Sequence, residues 1–96
     1  MSAAVGLLTL EIYVPGVTSI KQKRGIVKPL AARIRKEFNV AIAEIEDHDQ
    51  LGHTVLAVAA VSPSRDYVHG LLTRVAESVC EWRLDAELVD WSIEIL

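Results

Sequence analysis

The 96-residue chain has little cysteine, few aromatic residues and no long hydrophobic run, and each shortage excludes a class of protein. Cys80 is the only cysteine, so neither a disulfide nor an all-cysteine zinc site can form within one chain. Glu11, Glu44 and Glu46 interrupt the longest apolar stretches well short of the roughly 18–20 residues that a membrane span requires. Residues 1–10 have no basic segment before their apolar run, unlike a secretory signal. The sequence therefore predicts a cytoplasmic protein with no membrane partner.

The composition that is present is typical of a folded domain. Hydrophobic residues make up 51% and charged residues 24% of the chain, whereas disordered chains are poorer in apolar groups. The length of 96 residues suffices for one core between two packed layers and is too short for a second. We therefore expect a single domain that spans residues 1–96.

Hydrophobic spacing divides the chain into four strands and two helices. Apolar residues alternate with polar ones over residues 4–14, 40–47 and 89–95, as in half-buried strands. Residues 53–61 are small and β-branched, which predicts a strand buried on both faces or at the centre of a sheet. A helix is predicted from a cap at Thr18 or Ser19 to about Phe38, and a second one follows Pro63. The order βαββαβ is that of an α+β ferredoxin-like sandwich, with a four-stranded antiparallel sheet and two helices on one face.

Two residues affect the expected geometry of the first helix, one in its interior and one at its end. Pro29 lies inside it and cannot donate a hydrogen bond to the carbonyl of Gly25, so we expect a kink or a delayed helix start. Asn39 can end the helix in a left-handed conformation.

One face of the predicted sheet carries no helix and stays open. Strand alternation places mostly polar and acidic side chains there, and turns Val89 and Trp91 toward the helices. Tyr13 is the single aromatic residue expected on the open face, which disfavours RNA recognition by base stacking on the sheet. The face can instead pack against a second copy in a homodimer. Its predicted residues are Thr9, Glu11, Tyr13, Glu44, Glu46, Asp90, Ser92 and Glu94.

Positive charge is concentrated on the first helix. Residues 20–36 hold seven of the ten basic residues and no acid, while the whole chain has a net charge of −3. At about 100° per residue, most of these cations fall on one side of the helix, where they can neutralise RNA phosphates. A solvated surface or a protein contact is the alternative reading. The predicted nucleic-acid-binding residues are Lys21, Lys23, Arg24, Lys28, Arg35 and Lys36.

Catalysis and metal binding have less support. Cys80 follows Val79 on the second helix with acids nearby, which favours packing over a nucleophilic role. No G-x-S-x-G, P-loop or G-x-G-x-x-G motif is present. The turn from Glu46 to His53 contains Asp and His side chains of the kind that ligate metals, but their spacing matches no metal motif and also suits a polar turn. The sequence predicts no enzyme, catalytic residue, metal or cofactor.

Two stretches of the chain resemble a known family. Residues 19–24 read S-x-K-x-K-R, and residues 38–44 read F-N-V-A-I-A-E, with Asp49 further on. With these stretches at this separation, nearly the whole chain resembles the YlxP-like family of short bacterial proteins of unknown function. The resemblance implies a ferredoxin-like fold. It also implies a role near the ribosome, because the genes of such proteins often lie among those for translation initiation and ribosome maturation. The matching residues are Ser19, Lys21, Lys23, Arg24, Phe38, Asn39, Glu44 and Asp49.

Two functional hypotheses follow from these patterns. The first is a non-enzymatic accessory protein that binds ribosomal RNA or a ribosomal particle through its basic first helix. The alternative is a protein-interaction or homo-oligomerisation module that uses the open sheet face.

Overall fold

The computed structural model of the chain describes residues 2–46, 50–82 and 85–96. Its order of elements is the predicted βαββαβ, and their bounds lie close to the predicted ones. The elements are β1 (Ala4–Tyr13), α1 (Ile20–Glu37), β2 (Ala41–Glu46), β3 (His53–Ser62), α2 (Arg65–Glu81) and β4 (Glu87–Ile95).

The four strands form one antiparallel sheet in the order β2-β3-β1-β4. The ten pairs between β1 and β3, from Ala4 with Ser62 to Tyr13 with His53, form the centre of the sheet. This position confirms that β3, with its small and β-branched residues, is a central strand. Strands β2 and β4 are the two edges. The arrangement confirms the predicted ferredoxin-like α+β fold.

The core lies between the sheet and the two helices. Leu8, Leu10 and Ile12 alternate along β1 and are fully buried, as period-two patterning predicts. From α2, Val68 and Leu72 are fully buried in the same cluster. Burial of such side chains stabilises the fold by about 1.5–3 kcal/mol each.

Gly6 marks the closest approach of α2 to the sheet. A Cβ atom at this position would lie 2.5 Å from Cγ1 of Val68 and 2.8 Å from Cδ1 of Leu72. Both distances are shorter than van der Waals contact, so the side chains of α2 occupy the space that any larger residue would need. The absence of a side chain at Gly6 thus allows α2 to pack directly on β1.

The predicted cap begins α1. Ser19 is the N-cap, and its Oγ accepts a hydrogen bond from the amide of Gln22 at 3.1 Å. Gln22 Oε1 reaches back and accepts from the amide of Thr18 at 2.7 Å. Serine at the N-cap with glutamine three residues later resembles a capping box, which satisfies amides that the helix leaves unpaired.

Two expectations for α1 differ from the structure. Of the two alternatives stated for Pro29, the delayed start was wrong, because the helix runs through Pro29 from Ile20 to Glu37. The helix ends near Phe38 as expected, with Phe38 as its extended C-cap. Within residues 2–46, 50–82 and 85–96 no residue except glycine has a positive φ, so Asn39 is not left-handed. Phe38 packs on the core and needs no left-handed residue to turn the chain into β2.

Strand β4 differs from its predicted alternation. Glu11 pairs with Asp90 but Ile12 pairs with Leu88, so the register shifts and leaves Val89 without an opposite residue. Leu88 therefore packs against the core, whereas Val89 is 61% exposed. Trp91 lies opposite the core residue Leu10, on the predicted face, but is 39% exposed because β4 is an edge strand. The predicted facing of Trp91 is confirmed, whereas that of Val89 was wrong, since a bulge changes the phase of a strand.

The open face of the sheet is less acidic than predicted. Strand pairing confirms Thr9, Glu11 and Tyr13 on this face, with Asp90, Ser92 and Glu94 beside them on β4. The placement of Glu44 on this face was wrong. Glu44 pairs with the core residue Leu56 and shares the helix-covered face with Ile42. The side chain of Glu46 lies outside what the structure describes.

Small apolar residues occupy much of the open face instead. One row across the sheet contains Ala41, Ala59, Leu7 and Glu94 from β2 to β4. The next row contains Ala43, Ala57, Thr9 and Ser92. In these two rows the acidic side chain lies on β4, and the residues contributed by β2 and β3 are alanines.

Candidate nucleic-acid interface

The orientation of α1 is set by its apolar stripe. Val27, Leu30 and Ile34 recur at three- and four-residue steps and are buried against the sheet. The opposite side of the helix therefore faces away from the core. Gly25, Pro29 and Ala32 lie near the centre of that outer side and are exposed.

Five of the six predicted binding residues lie exposed around this outer side, and we call them the α1 basic face. Its first and last members are fifteen residues apart, which corresponds to about 22 Å along the helix axis. The first four members fall within about 60° of one another around the axis, and the fifth lies slightly beyond. The α1 basic face consists of Lys21, Arg24, Lys28, Arg35 and Lys36.

Among the described residues, no acid forms an ion pair with a cation of the α1 basic face. Across residues 2–46, 50–82 and 85–96, the ion pairs of α1 are those of Lys23 with Glu44 and of Arg33 with Glu37. The first turn of α1 contains no acidic residue. The helix therefore presents a row of solvated charges that a phosphate chain can approach.

Lys23, the sixth predicted residue, does not belong to this surface. It is only 4% exposed, and its Nζ donates a hydrogen bond to the carbonyl of Gln50 at 2.8 Å. The same atom lies 4.0 Å from Oε2 of Glu44 on β2. Lys23 thus connects α1 to the sheet and to the chain after β2, and it is not available to an external phosphate.

The sequence contained a signal for the burial of Lys23. Lys23 precedes Val27 by four residues and Leu30 by seven, which is the spacing of the buried stripe. A lysine on that stripe is expected to turn inward only if it finds a partner. Glu44 supplies one because strand pairing places it on the face that α1 covers.

Arg33 has a structural role beside the α1 basic face. Its guanidinium lies 3.9 Å from the ring centre of Trp82, the C-cap of α2, in a cation–π contact. Its Nε donates to Oε2 of Glu37 at 2.7 Å. The contact with Trp82 joins the end of α1 to the end of α2, and Glu37 holds the guanidinium from within α1.

Among the described residues, the other side chains considered from the sequence form no second site. Cys80 is exposed, so the prediction that it packs was wrong. Asp47, His48 and Asp49 of the predicted metal-binding turn lie outside the described residues. Within those residues, no three His, Cys, Asp or Glu side chains are grouped as metal ligands. No helix in the same part of the chain is both long and apolar enough to span a membrane.

The fold and this surface define the chain as a small ferredoxin-like α+β protein with cations on the outer side of its first helix. The family model described as protein of unknown function (DUF503) matches residues 5–93, and the chain belongs to this family. It is 35% identical to the uncharacterized protein YlxP of Bacillus subtilis (strain 168) over 71 residues, which are 74% of this chain and 77% of that protein. The resemblance to YlxP-like proteins is thereby confirmed.

Two designed proteins of known structure align with the chain. Foldit4 aligns with a TM-score of 0.54 and 11% identity over 99% of this chain and 97% of that one. Ferredog-Diesel aligns with a TM-score of 0.46 and 10% identity over 94% and 83% of the two chains. At such identity the likeness of Foldit4 supports the fold and carries no functional information.

Proposed function

We propose that the protein is a cytoplasmic, non-enzymatic accessory protein that binds the phosphate backbone of RNA through the α1 basic face, with a ribosomal particle as its target. The observation that carries this proposal is the row of five exposed cations without ion-pair partners among the described residues. The family resemblance supports the ribosomal target, because it implies a role near the ribosome.

The geometry suits contacts with phosphates rather than with bases. A row of about 22 Å can meet several phosphates in succession. Such contacts position a protein on RNA without reading its sequence. The open face of the sheet is a poor alternative, since its charged residues Glu11, Asp90 and Glu94 would repel phosphates.

The side chains between the cations favour RNA over a membrane surface. Gly25 and Ala32 lie between Lys36 and the other four cations around the helix axis, with Pro29 next to Lys36. A helix that inserts into a bilayer carries large apolar side chains beside its cations. Small residues instead leave room for a nucleic-acid backbone to lie along the helix.

The salt dependence of RNA binding tests the proposal. A labelled RNA hairpin should bind at low salt, and the logarithm of the affinity should fall linearly with the logarithm of salt concentration. The variant Lys28→Gln/Arg35→Gln removes two phosphate contacts and should reduce that slope by about 1.5. Fluorescence anisotropy over a salt series measures both quantities, and sedimentation with ribosomal particles tests the target.

The matched control is Arg65→Gln/Arg74→Gln, which removes the same charge from the exposed surface of α2. If the α1 basic face is the site, this control retains nearly the wild-type slope. Equal losses for both double variants would show that net charge alone governs binding. Failure of the wild-type protein to bind RNA at low salt would overturn the proposal outright.

A further inference from the structure

The open face of the sheet carries a second surface, which α1 does not share. It is formed by the apolar side of the face, and we call it the β-face patch. The patch consists of Leu7, Ala41, Ala43, Ala57, Ala59 and Val61.

We infer that two copies of the chain associate through the β-face patch, sheet against sheet. The four alanines present a flat surface, and Val61 at its end is 68% exposed. Two sheets that pack face to face lie about 10 Å apart, and small side chains allow that approach without deep interdigitation. Packing of this kind removes from water the apolar surface that the monomer leaves exposed.

Charge on the open face argues for a second copy rather than a nucleic acid or an anionic surface. The β-face patch has no charge, while Glu11 on β1 and Asp90 and Glu94 on β4 lie beside it. An anionic partner would be repelled by these carboxylates. A second copy can cover the patch while the acidic edges of both copies remain in water.

The same charges select one symmetry for the dimer. A two-fold axis across the strands would place β4 of one copy over β4 of the other, with like charges facing each other. An axis along the strands, above β3, places β3 over β3 and β2 over β1 of the partner, because β3 lies between β2 and β1. Both β4 edges then lie outside the contact, and Ala57 of β3 faces its own copy.

The size of the face predicts a weak dimer. Three strands about 4.8 Å apart and the five positions of β3 from Ala57 to Val61, at about 3.4 Å each, give roughly 500 Å² over two copies. Specific interfaces bury about 1,200–2,000 Å², so this contact belongs with the smaller, transient ones. We therefore expect a mass that rises with protein concentration.

Sedimentation equilibrium of the full chain up to about 1 mM protein tests the inference. At that concentration it detects a dimer with a dissociation constant of about 1 mM. The wild-type protein should shift from monomer toward dimer. Ala57→Glu places two carboxylates against each other across the axis and should leave a monomer. Ser92→Glu adds the same charge in the same row of the sheet, but on β4, and should dimerise like the wild type.

A mixture of two variants distinguishes a lost contact from a misfolded protein. Ala57→Glu and Ala57→Lys should each be monomeric alone and should form a heterodimer when mixed, because opposite charges then meet at the axis. Ala43→Glu, at an exposed position on the edge strand β2, should also weaken the dimer. A wild-type monomer at all concentrations overturns the inference, as does a dimer that Ala57→Glu and Ala43→Glu leave unchanged.

Discussion

At the scale of the residue, Lys23 has a different role in the structure from the one that the sequence pattern predicts. It is one of the seven cations of residues 20–36, yet it is buried beneath α1 and donates to the carbonyl of Gln50. Glu44 lies nearby and also accepts a hydrogen bond from Oγ1 of Thr54, which is fully buried. The group connects α1 to β2 and β3 through polar contacts in a mostly apolar layer. Lys23 and Thr54 are buried, whereas Glu44 and Gln50 keep contact with water, so breaking the group costs only part of a full desolvation penalty.

Lys23→Met should therefore destabilise the protein although methionine preserves most of the apolar length of the side chain. The carbonyl of Gln50 loses a charged donor and Glu44 loses its nearby cation, so we expect a loss of about 1–2 kcal/mol in the free energy of unfolding. Urea denaturation followed by circular dichroism measures it. Lys21→Met, at an exposed position of the same helix, should change stability by less than about 0.5 kcal/mol. Equal effects of the two substitutions would show that the ammonium group of Lys23 contributes nothing.

At the scale of the element, α1 has a well hydrogen-bonded first turn but lacks one backbone hydrogen bond in its interior. The reciprocal contacts of Ser19, Gln22 and Thr18 fix its first turn. Pro29 nevertheless lies in the middle of the helix and leaves the carbonyl of Gly25 without its usual donor. The helix continues because Val27, Leu30 and Ile34 are buried on both sides of the proline. Tertiary packing thus stabilises a helix that local propensity opposes.

Pro29→Ala should stabilise the protein. The substitution supplies an amide donor for the carbonyl of Gly25, and the side chain at position 29 is exposed, so no packing is lost. The greater freedom of the unfolded chain offsets part of the gain by about 0.4–1 kcal/mol. We expect a net increase of about 1–2 kcal/mol, measured as a higher urea midpoint with an unchanged slope.

Pro63→Ala is a control for which we expect a loss of stability instead of a gain. Pro63 precedes the N-cap Ser64 and lies outside α2, so its replacement restores no helical hydrogen bond. It should lower stability by about 0.4–1 kcal/mol through the unfolded state alone. A loss of stability for Pro29→Ala would mean that the ring itself makes a contact the fold requires.

At the scale of the whole molecule, the two proposed surfaces lie on opposite sides of the sandwich. The α1 basic face lies on the outside of the helical layer, and the β-face patch lies on the uncovered side of the sheet. A dimer formed through the patch would leave both helical layers outward. It would therefore carry two α1 basic faces on opposite outer sides.

RNA length should reveal this arrangement if both proposals hold. An RNA long enough to contact both helical layers should bind the dimer more tightly than a short hairpin, because the second contact becomes intramolecular. Ala57→Glu should remove most of that advantage and affect the short hairpin little. Ser92→Glu, with the same charge change, should keep the advantage. Anisotropy titrations with both RNAs measure the ratio of affinities, and a ratio unaffected by Ala57→Glu would contradict the bivalent dimer.

The elements and the cation stripe could be predicted from the sequence because both depend on local periodicity. A period of two in β1 fixed which residues face the core, and a period near 3.6 in α1 fixed which cations lie together. The positions of Leu8, Leu10 and Ile12 and of the α1 basic face were accordingly predicted correctly. These features require no knowledge of which elements are neighbours.

Features that depend on contacts between elements were decided only by the tertiary structure. Strand pairing placed Glu44 beneath α1 beside Lys23, 21 residues away in the chain. The register shift next to Glu11 turned Leu88 inward in place of Val89. The lateral order of β2, β3 and β1 gathered alanines from separate strands into the β-face patch. Alternation assigns residues to faces, but hydrogen bonds between strands set the register and choose the neighbours.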